Sequence, residues 1–379
     1  MSSSFSVVKP SYLENTSNIV VNGNLTVNGT VSTYVDTSLN SLPEDAISFF
    51  GNFSGTEKWQ GGVLAPNGKI YCIPSLSTIV MIIDPVTNTA DTTTITGVGS
   101  ASVYKWYGGV LAPNGKIYCI PSQCDNVMII DPVTNTVDTT TISGLGSGSS
   151  AKWRCGALAP NGKIYGIPRD STSVLIIDPV TNTADTTTIS GLSSLTNKWF
   201  GGVLAPNGKI YCIPNSIMTS VLIIDPVTNT VDTTTISGLA SFGSNWQGGV
   251  LASNGKIYSV PRNATSVLII DPVTNTVDTT TITVSSESNK CIGGVLAPNG
   301  KIYCIPYSIS NIIIIDPETN RVDTTITIPG SIPLQYLGGV LAPNGKIYCI
   351  PYNRPNVLVI NTGLPKFPQW MLKPQFNKI

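Results

Sequence analysis

The chain of 379 residues is 11% charged, its 21 basic and 21 acidic side chains cancel, and it contains no histidine. Average soluble domains carry roughly 25% charged residues, so the surface here must be a neutral coat of Thr, Ser, Asn and Gly, with no basic footprint for nucleic acid. The missing histidine removes the commonest general base and metal ligand and every Ser-His-Asp or Cys-His arrangement, and no apolar run approaches the ~18 residues of a membrane span.

Residues 1–40 read as a segment apart. The opening Met1-Ser2-Ser3-Ser4 lacks the basic and apolar regions of a secretory signal. An extracellular location would then be reached by another route, such as incorporation into a particle. The triplet Val-Asn-Gly recurs at Val21-Asn22-Gly23 and Val27-Asn28-Gly29, and so short a β-and-turn array cannot form a core alone. It resembles the neck and attachment segments of trimeric phage and viral fibres. The resemblance implies an extended N-terminal β arm that joins a homo-oligomer, such as a trimer, and contacts other structural proteins.

An isolated strand-like piece follows, Ala46-Ile47-Ser48-Phe49-Phe50, leading into Lys58-Trp59-Gln60-Gly61. It aligns with Thr233-Thr234-Thr235-Ile236 leading into Asn245-Trp246-Gln247-Gly248. From there the chain repeats a unit of about 46 residues seven times, with openings at Gly61, Gly108, Cys155, Gly201, Gly248, Gly293 and Gly338. A repeat of this length, made of short apolar runs between turn residues, signals a propeller or a solenoid.

Each unit predicts four strands and no helix. Gly62–Pro66 comes first, then Asn67-Gly68, the strongest short hairpin signal, read as a turn with both central residues left-handed. Lys69–Pro74 forms the second strand. After a variable loop comes a third strand such as Val174–Ile177, closed by Asp178-Pro179-Val180-Thr181-Asn182, in which proline and the Asp and Asn side chains make the turn. The fourth strand is the β-branched run Val137–Ile142 and its equivalents.

The last repeat ends at Val357–Asn361 without a fourth strand, whereas the piece before the first repeat is a fourth strand without a blade. Exchange between them closes a ring and hides the raw edges that an open stack exposes. The expectation is an all-β chain: a seven-bladed β-propeller of four-stranded antiparallel blades over residues 41–361, closed by an N-terminal outer strand in the last blade. Residues 362–379 form a tail whose Phe367–Leu372 stretch is apolar enough to dock on a neighbour.

The repeat resembles the YVTN/NHL-type propeller unit through Pro113-Asn114-Gly115-Lys116-Ile117-Tyr118 and Val127-Met128-Ile129-Ile130-Asp131, with Thr134-Asn135-Thr136-Val137. That family includes surface-layer and other surface proteins, and related propellers include enzymes, so the resemblance implies the fold and leaves activity open. The chain departs from the family in its Gly-Gly opening and in Tyr-Cys-Ile-Pro.

Few residues suggest chemistry. The recurring Asp84, Asp131, Asp178, Asp225, Asp271 and Asp316 sit at turns, one per blade, and too far apart to converge on calcium. Cys72, Cys119, Cys212, Cys304 and Cys349 share a position that also accepts Gly166 and Ser259, which reads as a small-side-chain packing slot; Cys124, Cys155 and Cys291 are irregular and fit no zinc spacing. No metal, no cofactor and no catalytic residue is expected, because near-identical repeats set the same groups seven times around a ring. The candidate ligand-binding residues are those two positions before each Gly-Gly pair: Trp59, Trp106, Trp153, Trp199, Trp246 and Tyr336, with Cys291 in the sixth blade. They serve either to pack blades together or to stack on sugars with the avidity of a ring.

These readings lead to one functional expectation and one alternative. The first is a non-enzymatic structural or attachment protein of a surface assembly, a virion or fibre component of a large virus, meeting partners through the arm and the variable loops. The alternative is a lectin-like propeller that binds surface glycans on its tryptophan ring.

Overall fold

The computed structural model describes residues 46–363, apart from 149, 241, 242, 244 and 331. The chain divides into two units, residues 1–40 and 41–379. The N-terminal arm and the tail beyond residue 363 lie outside the described residues, and so do the contacts and oligomer expected of them.

The described residues form seven four-stranded antiparallel sheets and no helix, the blades of a β-propeller. Closure follows the predicted exchange. Strand Ile47–Phe50 pairs antiparallel with Val357–Asn361, placing Ile47 opposite Ile360 and Phe50 opposite Val357. It is the outermost strand of the seventh blade, whose other strands are Tyr336–Leu341 and Lys346–Pro351.

The second strand of each blade, such as Ile117–Pro121, is buried along its length apart from Lys346 at the start of the seventh, so it reads as continuous apolar sequence. The core is a series of seams between adjacent blades. In one seam Val63, Tyr71, Ile73 and Val80 of the first blade meet Trp106, Ile117, Cys119 and Met128 of the second. The five repeated cysteines lie fully buried in such seams, and all eight cysteines are free thiols.

The most repeated polar residues latch blade to blade on one end of the ring. Tyr118 donates its hydroxyl to Asn182 Oδ1 of the next blade at 2.6 Å, while Asn114 Nδ2 donates to the Tyr118 oxygen and to the Pro179 carbonyl. The latch is repeated across the ring closure, where Tyr348 reaches Asn88 at 2.6 Å.

Two local expectations are corrected. In the hairpins only the glycine is left-handed: Gly68 has φ +79° and Asn67 does not. Pro66 presets the first turn residue, the Gly68 amide closes on the Ala65 carbonyl at 3.0 Å, and Asn67 Oδ1 accepts the Lys69 amide, giving a three-residue loop with a left-handed glycine. The outer strand of the first blade, Thr89–Ile95, runs the predicted length, but later ones are shorter, as in Thr136–Asp138 rather than a run through Ile142. Asp138 Oδ1 accepts the amides of Thr140 and Thr141, a local turn that competes with the ladder despite the β-branched composition.

Candidate functional site

The predicted aromatic residues lie inside the seams. Trp59, Trp106, Trp153, Trp199, Trp246 and Tyr336 are buried, between 0% and 4% exposed. Each indole N–H is donated to a carbonyl about twenty residues on in its own blade, as in Trp106 Nε1 to Asn126 O at 2.9 Å and Trp199 Nε1 to Ser220 O at 2.9 Å. Tyr336 donates to Asn356 Oδ1 at 3.1 Å. Their faces meet aliphatic side chains of neighbouring blades, and no open aromatic ring is presented.

The unusual geometry begins one residue later. In every blade the innermost strand carries a β-bulge between the aromatic position and the second glycine, as between Trp59 and Gly62. A bulge adds one residue and re-aims the side chains beside it. The bulge glycine is left-handed (φ +83° at Gly61, +89° at Gly248). A Cβ added at Gly248 would lie 3.2 Å from the Cα of Gly293, and one at Gly338 the same distance from the Cα of Gly61. The bulges therefore draw a tight circle of backbone around the axis, and the third blade alone places a side chain there, Cys155 at φ +60°.

The residue between the aromatic and the bulge glycine differs from blade to blade: Gln60, Tyr107, Arg154, Phe200, Gln247, Ile292 and Leu337. Tyr107, Phe200, Ile292 and Leu337 come from four blades yet form one buried cluster with Tyr307 and Tyr352, which places them at the axis. Tyr107 and Phe200 meet edge to face with centroids 5.2 Å apart. A second varied position follows each second-strand proline: Ser75, Ser122, Arg169, Asn215, Arg262, Tyr307 and Tyr352. The two positions neighbour each other because Trp59 is paired with Pro74 and its equivalents follow suit. Together they line one mouth of the propeller, on the face that carries the variable loops.

Unpaired polar atoms collect at this mouth. Among the described residues, the buried side-chain atoms without a hydrogen-bond partner include Gln60 Oε1, Ser75 Oγ, Arg154 Nε, Arg169 Nε, Asn215 Oδ1 and Gln247 Oε1, all from the two varied positions; Asn126 and Ser259 supply the other two. Buried polar groups are normally satisfied by protein or ordered water, so the mouth is where water or a ligand would find groups to pair with.

The mouth is cationic. The Arg154 guanidinium lies over the Tyr107 ring at 4.6 Å and the Phe200 ring at 5.4 Å. Arg262 lies over Tyr307 at 5.5 Å and donates Nε–H to Asn289 Oδ1 at 2.9 Å. Arg169 pairs with Asp170 at 2.6 Å and donates to Asn197. Burial, followed by the like charge of Arg154, pulls the Arg169 guanidinium down to about 10. Burial lowers Arg262 as well, and Arg154 adds to it.

Buried lysines staple the surrounding loops. Lys105 Nζ donates to the carbonyls of Ser75, Ser77 and Ser100, and Lys58 Nζ to those of Gly55, Tyr352 and Arg354. These bonds hold the mouth's rim in one arrangement.

Other polar clusters are engaged in structure. A cavity of about 130 Å³ is lined by Lys163, Asp178, Asp185, Thr188 and Asn229. Its carboxylates serve their own turns: Asp178 accepts the Val180 amide at 2.9 Å and pairs with Lys163, and Asp185 accepts Thr187 and Thr188. The other turn aspartates, such as Asp131, accept amides in the same way, and no group of three metal-ligating side chains converges among the described residues.

No family model matches the chain, and no curated protein matches it. Solved structures share its fold. A streptogramin B lyase is 10% identical, with a TM-score of 0.66 over 83% of this chain and 97% of that one. A catalytically inactive histidine-to-alanine variant of virginiamycin B lyase from Staphylococcus aureus, solved with quinupristin, is 8% identical, with a TM-score of 0.67 over 83% and 98%. The extracellular domain of a putative hybrid two component system from B. thetaiotaomicron is 11% identical, with a TM-score of 0.63 over 85% of this chain and 44% of that one.

The lyases correct the expectation that the protein is not an enzyme. The argument from repetition holds for the latches and seams and fails at the axis, where seven equivalent positions carry a unique set of side chains. A repeated frame can therefore hold a constellation of the kind catalysis needs, although this chain has no histidine to set beside the one replaced in that lyase variant.

Of the two mouth positions, Ser75, Ser122, Asn215 and Tyr352 open variable loops in which the sequence places binding, whereas the position of Gln60, Tyr107 and Arg154 was not singled out. Its signal is a residue that varies in all but one pair of blades while its neighbours on both sides repeat.

Proposed function

We propose that the chain is a ligand-recognition propeller that binds a small anionic molecule at its axial mouth, with Arg154 as the central contact. The observation that carries this reading is the state of Arg154: a half-buried guanidinium on two aromatic rings, with no hydrogen bond or ion pair to any described residue. Its Nε–H is kept out of water without an acceptor, which is costly, and a carboxylate or phosphate oxygen is the natural complement of a guanidinium. Arg169 and Arg262 add positive charge from the same side.

Two further features support it. The rim is fixed before binding, which lowers the ordering cost of a ligand. The fold also occurs in an extracellular domain, compatible with a location outside the cell, and no helix among the described residues is long and apolar enough to cross a membrane.

The test is calorimetry of the full chain with phosphate, sulfate and succinate, repeated on Arg154→Gln. Loss of a charged hydrogen-bonding group typically removes about 1.5–3 kcal/mol, so the variant should bind at least about tenfold more weakly. If no anion binds, or Arg154→Gln binds as the parent does, the reading fails. The virion and fibre reading draws on residues 1–40, outside the described residues, and no comparison supports it. Glycan stacking on the tryptophan ring would require the blades to part.

A further inference from the structure

The mouth carries a second pole. Glu57 stands on its rim in a left-handed conformation (φ +53°), its amide held by Asn353 Oδ1 at 2.8 Å. The equivalent left-handed positions include Asn197 and Asn289, a residue type that tolerates this backbone, and Leu334 at φ +56°, so the backbone does not itself call for a glutamate here. Its carboxylate accepts the Tyr104 hydroxyl at 2.5 Å and enters no ion pair among the described residues. Two oxygens without donors, Gln60 Oε1 and Ser75 Oγ, belong to the same blade as Glu57 and are 3% and 0% exposed.

The unpaired donors, Arg154 Nε and Arg169 Nε, lie on the third blade, whereas unpaired oxygens stand on the first (Gln60, Ser75), the fourth (Asn215) and the fifth (Gln247), and the carboxylate of Glu57 belongs to the first. The Glu57 hydrogen bond, first among its causes, raises the Tyr104 hydroxyl to about 12, and the Arg154 charge acts in the opposite sense. The opposite charges share one mouth and are not collapsed into a salt bridge. The same mouth carries an apolar wall that includes Ile292, Leu337 and the Tyr352 ring.

Resting on the anion-binding reading above, we infer that the ligand is zwitterionic, an amino acid or a compound of that class, with its carboxylate on Arg154 and Arg169 and its ammonium facing Glu57 and Gln60. A simple anion would use only the third-blade pole and leave the oxygens of Gln60 and Ser75 unpaired. An amine supplies the missing donors and the countercharge to Glu57, and the apolar wall favours a hydrocarbon side chain.

Calorimetry of the full chain with L-phenylalanine, N-acetyl-L-phenylalanine and 3-phenylpropionate, alongside phosphate and succinate, tests this. The amino acid should bind at least about tenfold more tightly than either compound lacking the ammonium. Glu57→Gln, which keeps an acceptor for the Tyr104 hydroxyl, should erase that preference while leaving 3-phenylpropionate binding unchanged. Arg154→Gln should weaken all three. Equal binding of the amino acid and 3-phenylpropionate, or binding of phosphate or succinate without the amino acid, overturns the zwitterion inference and leaves the anion site standing. Failure of every compound to bind overturns both.

Discussion

At the scale of single residues, the seams and the mouth use the same residue types for opposite ends. Trp199 is 1% exposed, its indole N–H is paired, and it belongs to a seam cluster with Tyr165, Ile167 and Ile210. Trp199→Ala should cost about 3–5 kcal/mol, the usual range for truncating a buried tryptophan, read as a lower urea midpoint. Unchanged stability would mean that the ring does not hold blades together. The charged residues of the rim predict a pH dependence. Burial lowers Lys58, Lys105 and Lys198 to about 8, below their unfolded value. The unfolded chain therefore binds more lysine protons above about pH 8, and stability rises with pH there. Burial raises the thiols of Cys72, Cys119, Cys212 and Cys349 and the tyrosines such as Tyr118 and Tyr336, so from about pH 9 upward the unfolded chain loses protons that the folded one keeps, and stability falls. Chemical denaturation as a function of pH should show a maximum at about pH 9. A monotonic decline from pH 7 would mean that the carbonyls around each ammonium outweigh its burial.

At the scale of elements, how legible each part was in the sequence follows from how its forces act. The strands, the blade count and the strand exchange were legible because apolar periodicity and turn residues are local signals repeated seven times. The Asn-Gly hairpin was half legible: the dipeptide marks the turn, but Pro66 and the Asn67 side chain decide which of its residues is left-handed. The bulge was not legible. Gly-Gly reads as flexibility, whereas here the first glycine takes a positive φ and lets neighbouring backbones approach, and only the assembled ring supplies that neighbour. The mouth inherits this obscurity, because its residues meet only after seven blades converge. A paired substitution separates the roles of the two glycine types. Gly255 has φ +78° with nothing within 4 Å of an added Cβ, so Gly255→Ala should cost only the left-handed backbone penalty of about 1–2 kcal/mol. Gly248 has φ +89° and the Gly293 Cα at 3.2 Å from an added Cβ, so Gly248→Ala must also displace the next blade and should cost more. Thermal melts of the two variants decide it, and equal losses would show that the axial circle yields.

At the scale of the whole molecule, the ring has one joint that no loop spans. Every neighbouring pair of blades is joined by continuous chain, including the seventh and first, because Ile47–Phe50 runs on into Trp59–Leu64. The break lies inside the seventh blade, where Ile47–Phe50 is held to Val357–Asn361 by four pairs and by the Asn361 amide on the Ala46 carbonyl at 2.9 Å. Opening the ring through this sheet requires no blade to unfold first, so the joint should set the unfolding rate. Ser48 lies opposite Val359, and directly opposed antiparallel residues have Cα separations of about 4.5–5.5 Å, within the reach of a disulfide. Ser48→Cys with Val359→Cys would therefore lock the joint with little distortion. In the chain-entropy picture, a loop of roughly 300 residues stabilises the fold by on the order of 5 kcal/mol. Because the bridge blocks the opening step itself, the gain should appear as slower unfolding in guanidinium, reversed on reduction. If the oxidised variant unfolds as fast as the reduced one, the ring opens along a seam between blades instead, and the exchanged strand is a passenger in stability.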